Sequence, residues 1–216
     1  MPRPGTKAPE RNAGDLVLEV FPSLRSPYTA ISFDRTLALA ERTGIQLTVR
    51  PVMPMMMRGV PAPRAKGSYI IFDAAREAAA CGVPFGNIVD PFGEPVKRAF
   101  SLYPFAAEAG AESRFVSRYL RAAWAEGVDI TTDAGLRRVI EDCGLDWRKA
   151  ERHLDSAAWE AVLEENVTDM LDAGLWGVPS FRVSGGGAPP FSCWGQDRLW
   201  RVEQEIAKRT TGKEVL

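Results

Sequence analysis

Strand-forming sequence is confined to the two ends of this chain. LVLEV, Leu16 to Val20, and IQLTV, Ile45 to Val49, lie near the N-terminus; VPSFRVS, Val178 to Ser184, and FSCW, Phe191 to Trp194, lie near the C-terminus. From Lys66 to Gly174 apolar residues recur at helical spacing and no strand-like run interrupts them. A sheet must therefore be assembled from segments far apart in sequence, with a helical block inserted between them. Between the first two strands, Ala30, Phe33, Leu37 and Ala40 follow helical spacing and Gly44 supplies the stop. Strand, helix, strand makes a βαβ unit, whose strands are parallel and whose crossover is right-handed. The C-terminal strands flank Gly185 to Gly187 and read as an antiparallel hairpin. A helix follows from Gln196 or Asp197, with Leu199, Val202 and Ile206 as its apolar stripe.

The middle block divides into several helices. KGSYIIFDAAREAAACG reads as one, closed by Gly82 and Pro84. Others are predicted near Glu94 to Tyr103, interrupted at Pro104, and from Glu112 to Glu126. Thr131 or Thr132 caps a helix ending at Cys143, Asp146 caps a short one, and Ser156 caps one that runs toward Ala173. The preceding RPVMPMMMRGVPAPRAKG is loop-like. Its Met53, Met55, Met56 and Met57 suit an adaptable apolar pocket and suit irregular core gaps equally. The organisation is a polar tail over residues 1–15, a sheet domain from 16–65 with 175–216, and an all-helical insertion domain over 66–174.

Several function classes are excluded early. A formal net charge of -1 and 45% hydrophobic content give no basic field for nucleic acid or an anionic membrane. No run approaches the roughly 18 apolar residues of a membrane span, and the N-terminus has no signal-peptide core. The expectation is a cytoplasmic protein. Cys81, Cys143 and Cys193 are too far apart for CxxC chemistry or a Cys-rich zinc site, so no metal is expected. His153, the only histidine, sits in ERHLD, which reads as a solvated helix face rather than part of a triad.

Two local features bear on chemistry. In SLRSPYTA, Ser23 to Ala30, Ser26 reads as a helix N-cap and Pro27 as the first helical residue. The Ser26 hydroxyl then stands at the positive end of a helix, beside unpaired N–H groups, where an anion is favoured. In GVPSF, Pro179 at the threshold of a strand marks an edge or turn and admits a cis peptide.

Four blocks, SPY at Ser26 to Tyr28, KGSYIIFDAARE at Lys66 to Glu77, AGLWGVPSF at Ala173 to Phe181 and WGQDRLW at Trp194 to Trp200, occur in an order that resembles a known family. It is the 2-hydroxychromene-2-carboxylate isomerase and kappa-class glutathione transferase family, on the DsbA-like thioredoxin fold. The resemblance implies a thioredoxin-like α/β fold, βαβ then ββα, with a large all-helical insertion and a cis Val178–Pro179 bond. In related oxidoreductases the first helix begins with CPxC; here Ser26 and Thr29 occupy the two cysteine positions. A hydroxyl cannot replace a thiolate in disulfide exchange.

The resemblance further implies that the Ser26 hydroxyl hydrogen-bonds the sulfur of bound glutathione, with helix N–H groups lowering the thiol pKa. Val178 main chain, before Pro179, would pair with the cysteinyl backbone. Gln196 and Asp197 would hold the γ-glutamyl end, and Lys66 the glycyl end or an acidic substrate. Tyr28, Arg25, Met55 and Trp194 would line the substrate pocket. The implied reaction isomerises an aromatic unsaturated carboxylate through addition, bond rotation and elimination of the glutathione thiolate; the alternatives are a kappa-like transferase and a DsbA-like protein without redox activity. The substrate carboxylate needs a cation from among Arg25, Arg58, Arg64 and Lys66. A homodimer is implied as well. The chain departs from the family pattern at Ser23, where aspartate is common, at the added charge of Arg25, and at Thr29-Ala30, where Ser-Tyr is frequent.

Overall fold

β1 (Leu16–Phe21) and β2 (Gln46–Val49) pair in parallel and are joined by α1 (Pro27–Thr43). β3 (Ser180–Gly185) runs antiparallel to β1, and β4 (Phe191–Trp194) antiparallel to β3, giving the order β2-β1-β3-β4. The expected βαβ and ββα units are thus built into one sheet, with Val20 opposite Val49 on one side and Phe181 on the other. This computed structural model describes residues 15–60, 63–154 and 156–211, without the side chain of Arg64. Apart from Asp15, the tail expected over residues 1–15 lies outside the described residues.

Local chemistry fixes α1. Ser26 is its N-cap, Pro27 occupies the first turn, and Gly44 ends it in the left-handed conformation at φ 67. The helices that follow are α2 (Arg64–Cys81), α3 (Glu94–Ser101), α4 (Tyr103–Glu108), α5 (Glu112–Trp124), α6 (Asp133–Asp142), α7 (Trp147–Ala150) and α8 (Ala158–Asp172), with α9 (Leu199–Thr211) closing the fold. Thr132 and Asp146 cap α6 and α7 as the sequence predicts. α1 packs on α2 and α5, so the same helix links the sheet to the helical block.

The two faces of the sheet are covered differently. Leu18, Val20, Phe181 and Val183 join Phe33 of α1, Val202 and Ile206 of α9, and Phe100, Phe115 and Tyr119 of the block in one continuous core. On the opposite face, Phe21 packs with Val52, Met170 and Leu175. Beside it, Glu19 is only 6% exposed and pairs with Arg182 and Arg50. Arg50 continues to Asp169 of α8 at 2.6 Å. A buried acid is tolerated there because two guanidinium groups meet it.

The structure adjusts several sequence boundaries. β3 begins at Ser180, not Val178, because Pro179 has no N–H to donate to a ladder. The Val178–Pro179 bond is cis, as the resemblance implies. The helix predicted to reach Tyr103 ends at Ser101, and Pro104 falls in the first turn of α4, where its missing N–H removes no helical bond. Gln196–Arg198 form a 3-10 turn before α9. ERHLD is not a helix face: Glu151–His153 form a 3-10 turn, and the His153 ring packs 5.1 Å from that of Phe105.

Candidate functional site

A cavity of about 860 Å³ opens at the N-terminal end of α1. Ser26, Tyr28, Arg25, Lys66, Met55, Val178, Pro179, Trp194, Gln196 and Asp197, all singled out from sequence, line it together. Residues remote in the chain converge here because α1, α2, the loop before β3 and the turn before α9 share one corner of the fold.

Ser26 forms the floor. Its Oγ accepts the Thr29 N–H at 3.1 Å, while its own hydroxyl hydrogen has no acceptor among the described residues. No acidic residue occupies the first turn of α1, so the partial positive charge of the helix end is not neutralised locally. No cysteine lines the cavity. Burial pushes the thiols of Cys143 and Cys193 up to about 11, which keeps them protonated at neutral pH, and no disulfide joins the described cysteines.

The loop before β3 forms a second wall. Gly195 N–H donates to Pro179 O at 3.0 Å and Ser180 Oγ donates to Gly177 O at 2.7 Å, fixing the chain on either side of Val178. Among the described residues the Val178 N–H and C=O have no hydrogen-bond partner. Gln196 is held already: Nε2 donates to Glu77 Oε2 at 2.6 Å and Oε1 accepts from Arg35 at 3.4 Å. Asp197 pairs with Arg198 at 2.5 Å, so both charges stand side by side at the rim.

α2 contributes a stripe the sequence reading did not single out: Tyr69, Asp73 and Glu77 recur every fourth residue and all line the cavity. That spacing within KGSYIIFDAARE is the signal for it. Tyr28 OH donates to Asp73 Oδ2 at 2.7 Å and Tyr69 OH to Oδ1 at 3.3 Å. Burial and the Asp73 carboxylate push the Tyr28 phenol well above its ordinary value, leaving it a neutral donor.

Trp176, also missed, faces Trp194 with ring centroids 4.5 Å apart. The aromatic wall depends on Gly177, where a Cβ would come within 2.4 Å of Trp194 Nε1. The methionine cluster divides: Met55 and Met56 line the cavity, whereas Met53 and Met57 pack on the main core. Both sequence readings hold, each for different members.

The four basic residues separate as clearly. Arg25 Nε and Nη2 each lie 2.7 Å from an Asp90 oxygen, and its guanidinium stacks 4.3 Å above the Phe92 ring. Arg58 lies outside the cavity lining and donates to Met53 O and Trp176 O, each at 3.0 Å. Lys66 is exposed and its side chain has no partner among the described residues; the Arg64 side chain is outside the described part. Among the described residues no group of His, Cys, Asp or Glu is placed to hold a metal, and no helix is long and apolar enough to cross a membrane.

A family model for the DSBA-like thioredoxin domain matches residues 17–207. No curated protein sequence matches. Among solved structures, a 2-hydroxychromene-2-carboxylate isomerase has a TM-score of 0.72 at 19% identity, over 89% of this chain and 95% of that one. A probable DsbA oxidoreductase from Streptomyces coelicolor has a TM-score of 0.67 at 17% identity, over 93% and 92%. The cytosolic disulfide reductase DsbM from Pseudomonas aeruginosa, solved with GSH, has a TM-score of 0.63 at 18% identity, over 89% and 99%. At these identities the likeness is one of fold.

Proposed function

This chain belongs to the DsbA-like thioredoxin domain family, and from that premise we propose that it is a glutathione-dependent isomerase of an aromatic unsaturated carboxylate. The observation that carries the reading is Ser26: a hydroxyl with an uncommitted hydrogen caps α1 at the floor of a cavity that contains no thiol. A site of this kind can hold the sulfur of a ligand but has no thiolate of its own to exchange disulfides.

The residues present fit glutathione, an extended tripeptide with two carboxylates and one ammonium. Val178 offers unpaired main-chain groups of the kind an added strand engages. Asp197 and Arg198 offer opposite charges to the γ-glutamyl ammonium and carboxylate. Gln196, committed to Glu77 and Arg35, supports this turn more than it contacts a ligand. The cavity volume of about 860 Å³ falls within the range of roughly 300–1,000 Å³ usual for small-molecule sites.

Glutathione bound here would supply a thiolate able to add reversibly to a conjugated double bond, the π pair moving into the conjugated carbonyl to leave a single bond that rotates and then returning to expel the thiolate. The protein's part is to donate the Ser26 hydroxyl toward the sulfur at the positive end of α1, favouring its charged form; Pro27 has no N–H, and those of Thr29 and Ala30 are taken up by Ser26. Trp176, Trp194 and Met55 offer an apolar wall for the aromatic part of the substrate. A kappa-like transferase would use the same floor and differ only in retaining the sulfur adduct as product. The proposed setting is a reducing cytoplasm, which the unpaired cysteines suit, with assembly as a homodimer.

Calorimetry with reduced glutathione tests the reading. Binding at millimolar concentration or tighter, weakened in Ser26→Ala combined with Asp197→Ala, is expected. No binding by the wild type overturns it, and robust insulin reduction would return the chain to the oxidoreductases.

A further inference from the structure

We infer that Arg25 is the specificity-determining residue that admits an acid whose carboxylate is conjugated to the reacting double bond. The inference rests on the isomerase reading and names the cation that reading needs. Of the basic residues open from sequence, Arg25 alone is both in the cavity and held in a fixed orientation among the described side chains. Asp90 occupies its Nε and Nη2 donors at 2.7 Å each, and the Phe92 ring supports one face of the guanidinium at 4.3 Å. Among the described residues its Nη1 group has no oxygen partner and meets Met56 Sδ at 3.8 Å. An arginine gripped along one edge presents its remaining donors with little further rotamer entropy to lose, and the fork geometry suits a carboxylate.

Asp90 balances the charge of Arg25, so recognition here comes from directed hydrogen bonds more than from net charge. The side chain of Arg25 is only 21% exposed, which strengthens those bonds relative to water. Arg58 spends its donors on Met53 O and Trp176 O, and exposed Lys66 is neither gripped nor stacked. Arg25 also immediately precedes Ser26; their Cα atoms are one peptide unit apart, about 3.8 Å. Both side chains line the same cavity, so a ligand whose sulfur is held at Ser26 can offer a nearby carboxylate to Arg25.

Quenching of tryptophan fluorescence by trans-cinnamate and by its neutral amide, cinnamamide, tests the assignment without turnover. The wild type is expected to prefer the acid by about tenfold, the ratio that roughly 1.4 kcal/mol supplies. Arg25→Gln should abolish that preference, lowering cinnamate affinity far more than cinnamamide affinity, while an unchanged near-UV circular dichroism spectrum reports an intact pocket. Arg25→Lys should keep part of the preference and Lys66→Gln all of it. A wild type without preference, an Arg25→Gln variant that keeps it, or its loss in Lys66→Gln overturns the assignment. Calorimetry of the wild type and the Arg25→Gln variant with reduced glutathione separates the two readings. Glutathione binding without acid preference removes Arg25 alone, whereas acid preference without glutathione binding removes the isomerase.

Discussion

Gln196 and Glu77, 119 residues apart, share a hydrogen bond of 2.6 Å from Gln196 Nε2 to Glu77 Oε2. It ties the turn before α9 to α2 in the cavity wall, so two segments far apart in the chain meet through a polar pair at the site itself. Gln196 is 5% exposed, and removing its acceptor leaves a buried donor unsatisfied.

Glu77→Ala is therefore expected to lower stability by about 1–3 kcal/mol, the usual penalty for stranding a buried polar group. Thermal denaturation gives the loss, and Glu77→Gln, which keeps an acceptor, should recover most of it.

Glu19 makes stability depend on acid. Burial pushes its carboxyl up, but the hydrogen bonds and charges of Arg182 and Arg50 outweigh burial and hold it below the ordinary value of 4.5. A depressed native pKa means that the unfolded chain takes up the proton first. The contribution is therefore present above pH 4.5 and lost as the pH falls through that value toward the native one. Urea midpoints should decline in this window for the wild type and more gently for Glu19→Gln. At neutral pH Glu19→Gln should be less stable by about 3–5 kcal/mol, because two guanidinium groups lose their buried partner.

Ser26 and Thr29 separate the cap from redox chemistry. Ser26→Ala should cost about 1 kcal/mol as a lost N-cap. Ser26→Cys alone should yield a reactive thiol, because a helix N-terminus favours the thiolate, yet no insulin reduction, because a second thiol is missing. The double variant Ser26→Cys with Thr29→Cys restores CPYC and is expected to reduce insulin; an active single variant would contradict this account.

Gly177→Ala tests the aromatic wall. The new methyl would meet Trp194 Nε1 at 2.4 Å, and the indole, 47% exposed, is free to swing away. The near-UV circular dichroism of the Trp176–Trp194 pair should weaken while the melting temperature shifts by only a few degrees, about 1 kcal/mol at most for a surface rearrangement. Cinnamamide affinity should fall with it.

The sequence by itself determined whatever depends on neighbours a few residues away. Ser26 before Pro27 writes the start of α1, Gly44 its end, Thr132 and Asp146 the caps of α6 and α7, and Gly185 to Gly187 the hairpin, because each satisfies backbone groups or φ angles locally. The resemblance also brought ten cavity residues to attention, eight of them within the four blocks that carry the family likeness and two, Arg25 and Met55, outside them. What only the tertiary structure decided is which polar groups find partners across the fold. LVLEV reads as an apolar strand, yet Glu19 within it is matched by Arg50 and Arg182. Arg25 reads as an added charge beside Ser26 and a candidate cation, and only the fold shows that Asp90 and Phe92 grip it; Gln196 reads as a ligand group, and only the fold shows that Glu77 also holds it. A buried charge or amide is stable only where a complementary group arrives from elsewhere in the chain, and that arrival is a property of packing, with no local sequence signature.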